Sequence, residues 1–118
     1  MKHVLLGVGC LLLMGLSLQV GAYDEVHLKK LRAVGSCPSC DLSGAFLYNE
    51  NLEDANLEGT NLTGACLYKA NLKGTNLTNA NLTTVTLEKS KNFNTAITTG
   101  AIFCSTVMPD GSTNKSGC

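Results

Sequence analysis

The sequence predicts an all-β solenoid on three observations: a leucine at every fifth position, small residues two places before many of those leucines, and end segments that read as lids. Leucine stands at 42, 47, 52, 57, 62, 67, 72, 77, 82 and 87. On a helix, at about 100 degrees per residue, a step of five scatters these side chains around the axis. On a strand it sends successive leucines to opposite faces. Only a backbone that turns once per five residues brings them all to one side, which is a coil with leucine pointing inward.

The segment before the coil divides in two. Residues 1 to 22 read as a secretory signal: Lys2 gives the positive start, an apolar run extends from 4 to 18, and Val20, Gly21 and Ala22 are small residues before a cut. The run is short for a bilayer span, so no membrane association is expected once the signal is removed. Residues 23 to 39 are expected to hold a cap helix and a linker. Asp24 is a helix start, Val26, Leu28, Leu31 and Val34 approximate one apolar face, and Gly35 is a natural stop. The lone His27 is expected on the surface of that helix.

Written in fives, residues 40 to 104 run CDLSG, AFLYN, ENLED, ANLEG, TNLTG, ACLYK, ANLKG, TNLTN, ANLTT, VTLEK and, after a lapse, TAITT and GAIFC. This resembles the pentapeptide-repeat family, whose pattern is a small residue, Asn or Asp, Leu or Phe, a polar residue and a variable one. The resemblance implies a right-handed quadrilateral β-helix with four pentapeptides per coil, here about three coils. The central residue and the small residue two before it would face inward. A step of 20 would stack Leu42, Leu62, Leu82 and Ile102 on one face, with coils ~4.8 Å apart. Ala45, Ala55, Ala65, Ala70 and Ala80 would leave room at the corners, while Asn51 with Asn71 and Asn56 with Asn76 would form amide ladders outside.

Two departures stand out. Glu50 occupies a small, inward position, where an unpaired carboxylate is costly, so it should turn to solvent or to Lys30 or Arg32. At Asn92 the central leucine is missing and Phe93 comes one place late. Residues 105 to 118 are expected to form the C-terminal cap as a hairpin or loop around the Pro109-Asp110-Gly111 turn.

Beyond the signal there are five cysteines, an odd number, so at least one thiol should stay free or pair with another chain. Cys104 and Cys118 flank the last turn and are disulfide candidates. Cys37 and Cys40 have redox-motif spacing, but no helix start follows to lower a thiol pKa. Counting by fives puts both inward and close, which favours a structural disulfide. Cys66 stands where asparagine is usual. Pointing outward beside Phe46, Tyr48 and Tyr68, it makes a possible contact face, although ordinary stacking of like residues between neighbouring coils is the favoured account. The opening at 37 to 42 and the Met-Pro-Asp-Gly and Gly-Cys elements at the end resemble those of secreted and thylakoid-lumen members of the family.

The functional expectation is a secreted, non-enzymatic scaffold that binds an unknown protein partner or serves a structural role, as monomer or dimer. It would reside outside the cell or in the periplasm, or in the thylakoid lumen if the source is photosynthetic. No nucleophile, base and orienter are grouped, and no cofactor or metal is expected, His27 being the only histidine beyond the signal. Two alternatives come from other classes. A DNA mimic acting on gyrase, the role of the family's cytoplasmic acidic members, would need a negative rod. This chain carries nine acids against eight bases once Lys2 is taken from its nine, and Lys73 should sit over Glu53. A nucleic-acid partner is not expected either. The other alternative is a thiol-redox protein using Cys37 and Cys40.

Overall fold

The computed structural model describes residues 22 to 118; the apolar run read as a signal lies outside the described residues. Helix α1 (Glu25–Val34) forms first. Its start is held by the Asp24 carboxylate, which accepts from the backbone N–H of Val26 at 2.8 Å and of His27 at 3.4 Å. Its end is Gly35 at φ 73°, whose N–H donates to the Leu31 carbonyl. Leu28 and Leu31 join the core, whereas Val26 and Val34 are 70% and 65% exposed. The apolar face is thus narrower than the sequence suggested: of the four residues, only these two, three apart, meet the coil.

From Ser36 onward the backbone runs in five-residue sides. Parallel bridges join Ser36 to Asn56, Asp41 to Asn61, Phe46 to Cys66 and Asn51 to Asn71, and the next four repeat that step of 20 down to Asn71 and Lys91. Four sides per turn follow directly. The ladder extends beyond residues 40 to 104, from Ser36 to Val107.

Each side ends in a tight turn closed by the central residue's carbonyl. Leu42 accepts from Ala45 N–H at 3.0 Å, and Leu57, Leu62, Leu72 and Leu77 repeat the contact. The residue before the closing donor has positive φ, the signature of a type II turn, and the demand is met by Gly44, Gly59, Gly64 and Gly74 but also by Asn49, Asp54, Lys69, Asn79 and Thr84. At Gly74 a Cβ would meet the Asp54 carboxylate of the coil above, so a larger residue there needs that side chain to move as well as tolerating the left-handed backbone.

All ten leucines are buried, with Ala45, Ala55, Ala65, Ala70, Ala80 and Val85 beside them. At about 1.5 to 3 kcal/mol per buried leucine, this column is the main favourable term. Threonine also serves at the inner small site. Thr60 and Thr75 are fully buried, and their hydroxyls donate at 2.8 Å to the carbonyls of Cys37 and Leu52, 23 residues earlier. The same bond from Thr106 reaches Leu82, 24 residues earlier.

That change from 23 to 24 marks an inserted residue. Asn92 adopts a left-handed conformation and a 3-10 turn follows over Phe93–Thr95. Below it the bridges step by 21: Asn76 to Ile97, Asn81 to Ile102 and Thr86 to Val107. Ile97 and Ile102 therefore take the outward position, 48% and 42% exposed. This corrects the expected stack of Ile102 on Leu82. Thr98 and Phe103 stand at the centres instead, and Phe103 packs edge-to-face against Phe93 at 6.4 Å. Phe93 comes a place late because the extra residue feeds it back to the core.

The chain ends in an antiparallel pair, β1 (Thr106–Val107) and β2 (Thr113–Asn114), around the turn at Pro109. Asp110 accepts from the Ser112 hydroxyl at 2.6 Å and from its N–H at 2.9 Å. Those bonds hold its carboxyl below the usual carboxylate range.

Candidate interaction face

The outward asparagines are bound to the backbone. Asn51, Asn56, Asn61, Asn71, Asn76 and Asn81 each accept through Oδ1 from the N–H two residues on, at 3.0 to 3.2 Å. Asp41 does the same for Ser43. Their amides also form ladders between coils, Asn71 to Asn51 at 3.2 Å and Asn76 to Asn56 at 3.5 Å, and Asn92 extends the first by donating to Asn71. These side chains complete corners rather than wait for a ligand.

One face breaks the asparagine pattern. Phe46 replaces Asn in the first coil and Cys66 below it, with Thr86 next in the column. Phe46 stacks on Tyr48 at 5.9 Å, and Tyr48 on Tyr68 at 5.7 Å, with the rings within about 11° of parallel. The Nζ atoms of Lys69 and Lys89 lie 5.6 and 6.0 Å from the Tyr68 ring centre, within cation–π range. The outer half of this face is Phe46 and Tyr48, both half-buried. Its inner half is not the open surface expected from the sequence, for Cys66 and Tyr68 are only 2% and 4% exposed. Nor is a free thiol found there: no cysteine among the described residues is free.

Cys37 and Cys40 form a disulfide with Cα atoms 5.5 Å apart, both buried. Cys104 and Cys118 form a second, Cα atoms 4.7 Å apart, at the chain's end. A disulfide sealed in the core between the leucine column and α1 offers no sulfur to an incoming thiolate.

Glu50 meets Arg32 at 3.4 Å, and the same guanidinium donates to the Phe46 carbonyl at 3.1 Å, tying α1 to the first coil. His27, expected on the surface, is half-buried. Its Nδ1 accepts from the Asp41 N–H at 2.9 Å, a donor that in later coils finds a carbonyl of the turn above. No clue in the sequence short of the docked helix could have given that role. A cavity of about 490 Å³ runs along α1, lined by Tyr23, Glu25, Leu28, Lys29, Arg32 and Ala33. No cluster of metal-ligating side chains occurs among the described residues, and among them no helix is long and apolar enough to cross a membrane.

The family model for pentapeptide repeats matches residues 39–74 and 66–91, in 8 copies. The chain belongs to the pentapeptide-repeat family. Such proteins form right-handed quadrilateral β-helices and are in general non-enzymatic structural or interaction modules. Among solved members of the family, HetL from the cyanobacterium Nostoc, described as involved in heterocyst differentiation regulation, is 30% identical over 67% of this chain, with a TM-score of 0.45. This chain spans 40% of HetL's length. A second Nostoc pentapeptide-repeat protein is 24% identical, over 70% of this chain and 77% of its own, with a TM-score of 0.40. One from the thylakoid lumen of Arabidopsis thaliana is 22% identical, over 81% of this chain and 77% of its own, with a TM-score of 0.37. No curated protein matches the chain.

Proposed function

We propose that this pentapeptide-repeat protein is an exported, non-enzymatic scaffold that binds another protein through the aromatic face of its first two coils. The observation that carries the proposal is the ring stack of Phe46, Tyr48 and Tyr68 flanked by Lys69 and Lys89. Rings clamped between coils lose little entropy on binding, and aromatic side chains dominate protein contacts. Two lysines beside them favour an acidic patch on the partner. In this reading residues 1 to 22 are the export signal, about three coils carry the face, and α1 and the terminal hairpin act as caps over the two ends of the core. The two disulfides support an oxidising compartment.

The test is affinity capture from the compartment's own extract, comparing the native protein with a Phe46→Ala, Tyr48→Ala double variant of matched melting temperature. The proposal expects one reproducible protein partner that the double variant loses by at least about tenfold, as for a binding hot spot. Equal capture by both forms, or turnover of a thiol or ester substrate by the native protein, would refute it.

A further inference from the structure

The charges of the coil are sorted along its axis. Residues 36 to 58 carry Asp41, Glu50, Glu53, Asp54 and Glu58 and no lysine or arginine. Residues 59 to 95 carry Lys69, Lys73, Lys89 and Lys91, with Glu88 as their one acid. The register gathers the four lysines at one corner. Lys69 and Lys89 hold the same turn in successive coils, and Lys91 bridges to Asn71 on the side that follows, where Lys73 also stands. All four are exposed, and none is in an ion pair among the described residues. Glu88 leans toward the terminal turn, its Oε2 lying 3.7 Å from where a Gly111 Cβ would be.

Two of these lysines sit where the backbone disfavours them. Lys69 and Lys89 have φ 63° and 61°, in a column that Asn49 fills one coil above. Glycine or asparagine meets that conformation with less strain, so the fold by itself does not account for lysine there twice. Strain retained at such a position points to a use. Their Nζ atoms, 5.6 and 6.0 Å from the Tyr68 ring centre, are held beside the aromatic face. The backbone round the corner is fixed by the ladder, with Lys91 N–H donating to the Ala70 carbonyl at 2.8 Å and Leu72 N–H to the Lys91 carbonyl at 2.9 Å. Four like charges on a fixed corner repel one another, and a carboxylate brought to them relieves that repulsion.

We propose that this corner binds an acidic, extended segment of the protein partner, continuing the contact made at Phe46 and Tyr48; the inference rests on the reading of that aromatic face as a binding surface. The corner is convex. A flexible chain bends round it from the ring side to the side of Asn71 and Lys73, whereas a flat lipid surface meets only its ridge. Glu53 and Asp54, both exposed, stand one coil above Lys73 and Gly74, the Asp54 N–H donating to the Lys73 carbonyl at 2.8 Å. They set an upper limit on the anion. A nucleic-acid duplex, whose phosphates run on without a break, would meet those carboxylates. A segment with a few acidic side chains fits beneath them.

Fluorescence anisotropy of labelled hexaglutamate with the oxidised protein reads the contact. Half-saturation is expected below about 1 mM, and binding should fall as salt rises from about 0.05 to about 0.2 M. Labelled hexaglutamine should not bind. Lys69→Asn with Lys89→Asn should weaken binding by at least about tenfold at an unchanged or higher melting temperature, and Lys73→Gln with Lys91→Gln, away from the strained turns, should weaken it likewise. Lys29→Gln with Lys30→Gln, which removes the same charge from α1, should bind as the native protein does. No binding up to about 1 mM, an equal loss through the α1 pair, or a short DNA duplex or phosphatidylglycerol vesicles bound as tightly as hexaglutamate would overturn the proposal. The aromatic reading fails separately: a partner lost through Phe46→Ala and Tyr48→Ala but held undiminished by both lysine variants would overturn the acidic segment alone.

Discussion

At the scale of the residue, the repeat asks each position for one property. The centre must fill volume, the site two before it must be small, the outward site must accept an N–H two places on, and the turn residue must tolerate positive φ. Leucine answers the first at every repeat from 42 to 87, and alanine and asparagine recur often enough at the next two sites for their roles to be readable from spacing alone. The fourth is answered unevenly. Thr84 sits at φ 55° although it is β-branched, in a column with Gly64 above it. The left-handed conformation costs a non-glycine residue about 1 to 2 kcal/mol, against up to about 1 kcal/mol of glycine's extra unfolded-state entropy. Thr84→Gly should therefore leave stability unchanged or raise it by up to about 1 kcal/mol. Denaturant titration checks this, and a loss of more than about 1 kcal/mol would show that the Thr84 hydroxyl bond to the Thr83 carbonyl outweighs the strain.

Among the elements, the insertion at 92 to 95 has the widest consequence. The extra residue changes the bridge step from 20 to 21 and turns Ile97 and Ile102 outward. Reading by fives set both inward, because isoleucine imitates leucine and an inserted residue leaves no mark except a missing leucine. Had the placement of Phe93 one position late been treated as a shift of everything after it, Phe103 would have emerged at the centre. The two rings now close the last coil together, edge to face. Phe93→Ala and Phe103→Ala should each destabilise the protein, and a double-mutant cycle should give a coupling of about 0.5 to 1.5 kcal/mol. Additive losses would mean that the rings act separately.

At the scale of the whole molecule, the Cys37–Cys40 and Cys104–Cys118 disulfides differ in what surrounds them. Cys37 and Cys40 are buried, with the coil starting at their own position, while Cys118 is exposed at the terminus and closes a loop with a sequence separation of 14. Under a graded dithiol treatment the outer pair should be alkylated first. Its loss should cost about 3 kcal/mol, the loop-entropy figure for this length. Mass-spectrometric mapping of the labelled cysteines distinguishes this from reduction of the inner pair first, and a thermal melt measures the cost.

The sequence by itself determined that the chain coils, with which residues inside, because a five-residue period admits no other regular backbone. It also marked the two end segments and the cysteines that pair within them, since helix-start, stop and turn residues act over a few neighbours. Only the tertiary structure decided what depends on distant groups meeting. Such are the His27 bond to Asp41, the burial of Cys66 and Tyr68 on a side expected to be open, and the outward turn of Ile97 and Ile102. Burial and hydrogen-bond closure belong to pairs of segments some twenty residues apart, and a one-residue shift between them exchanges inside for outside.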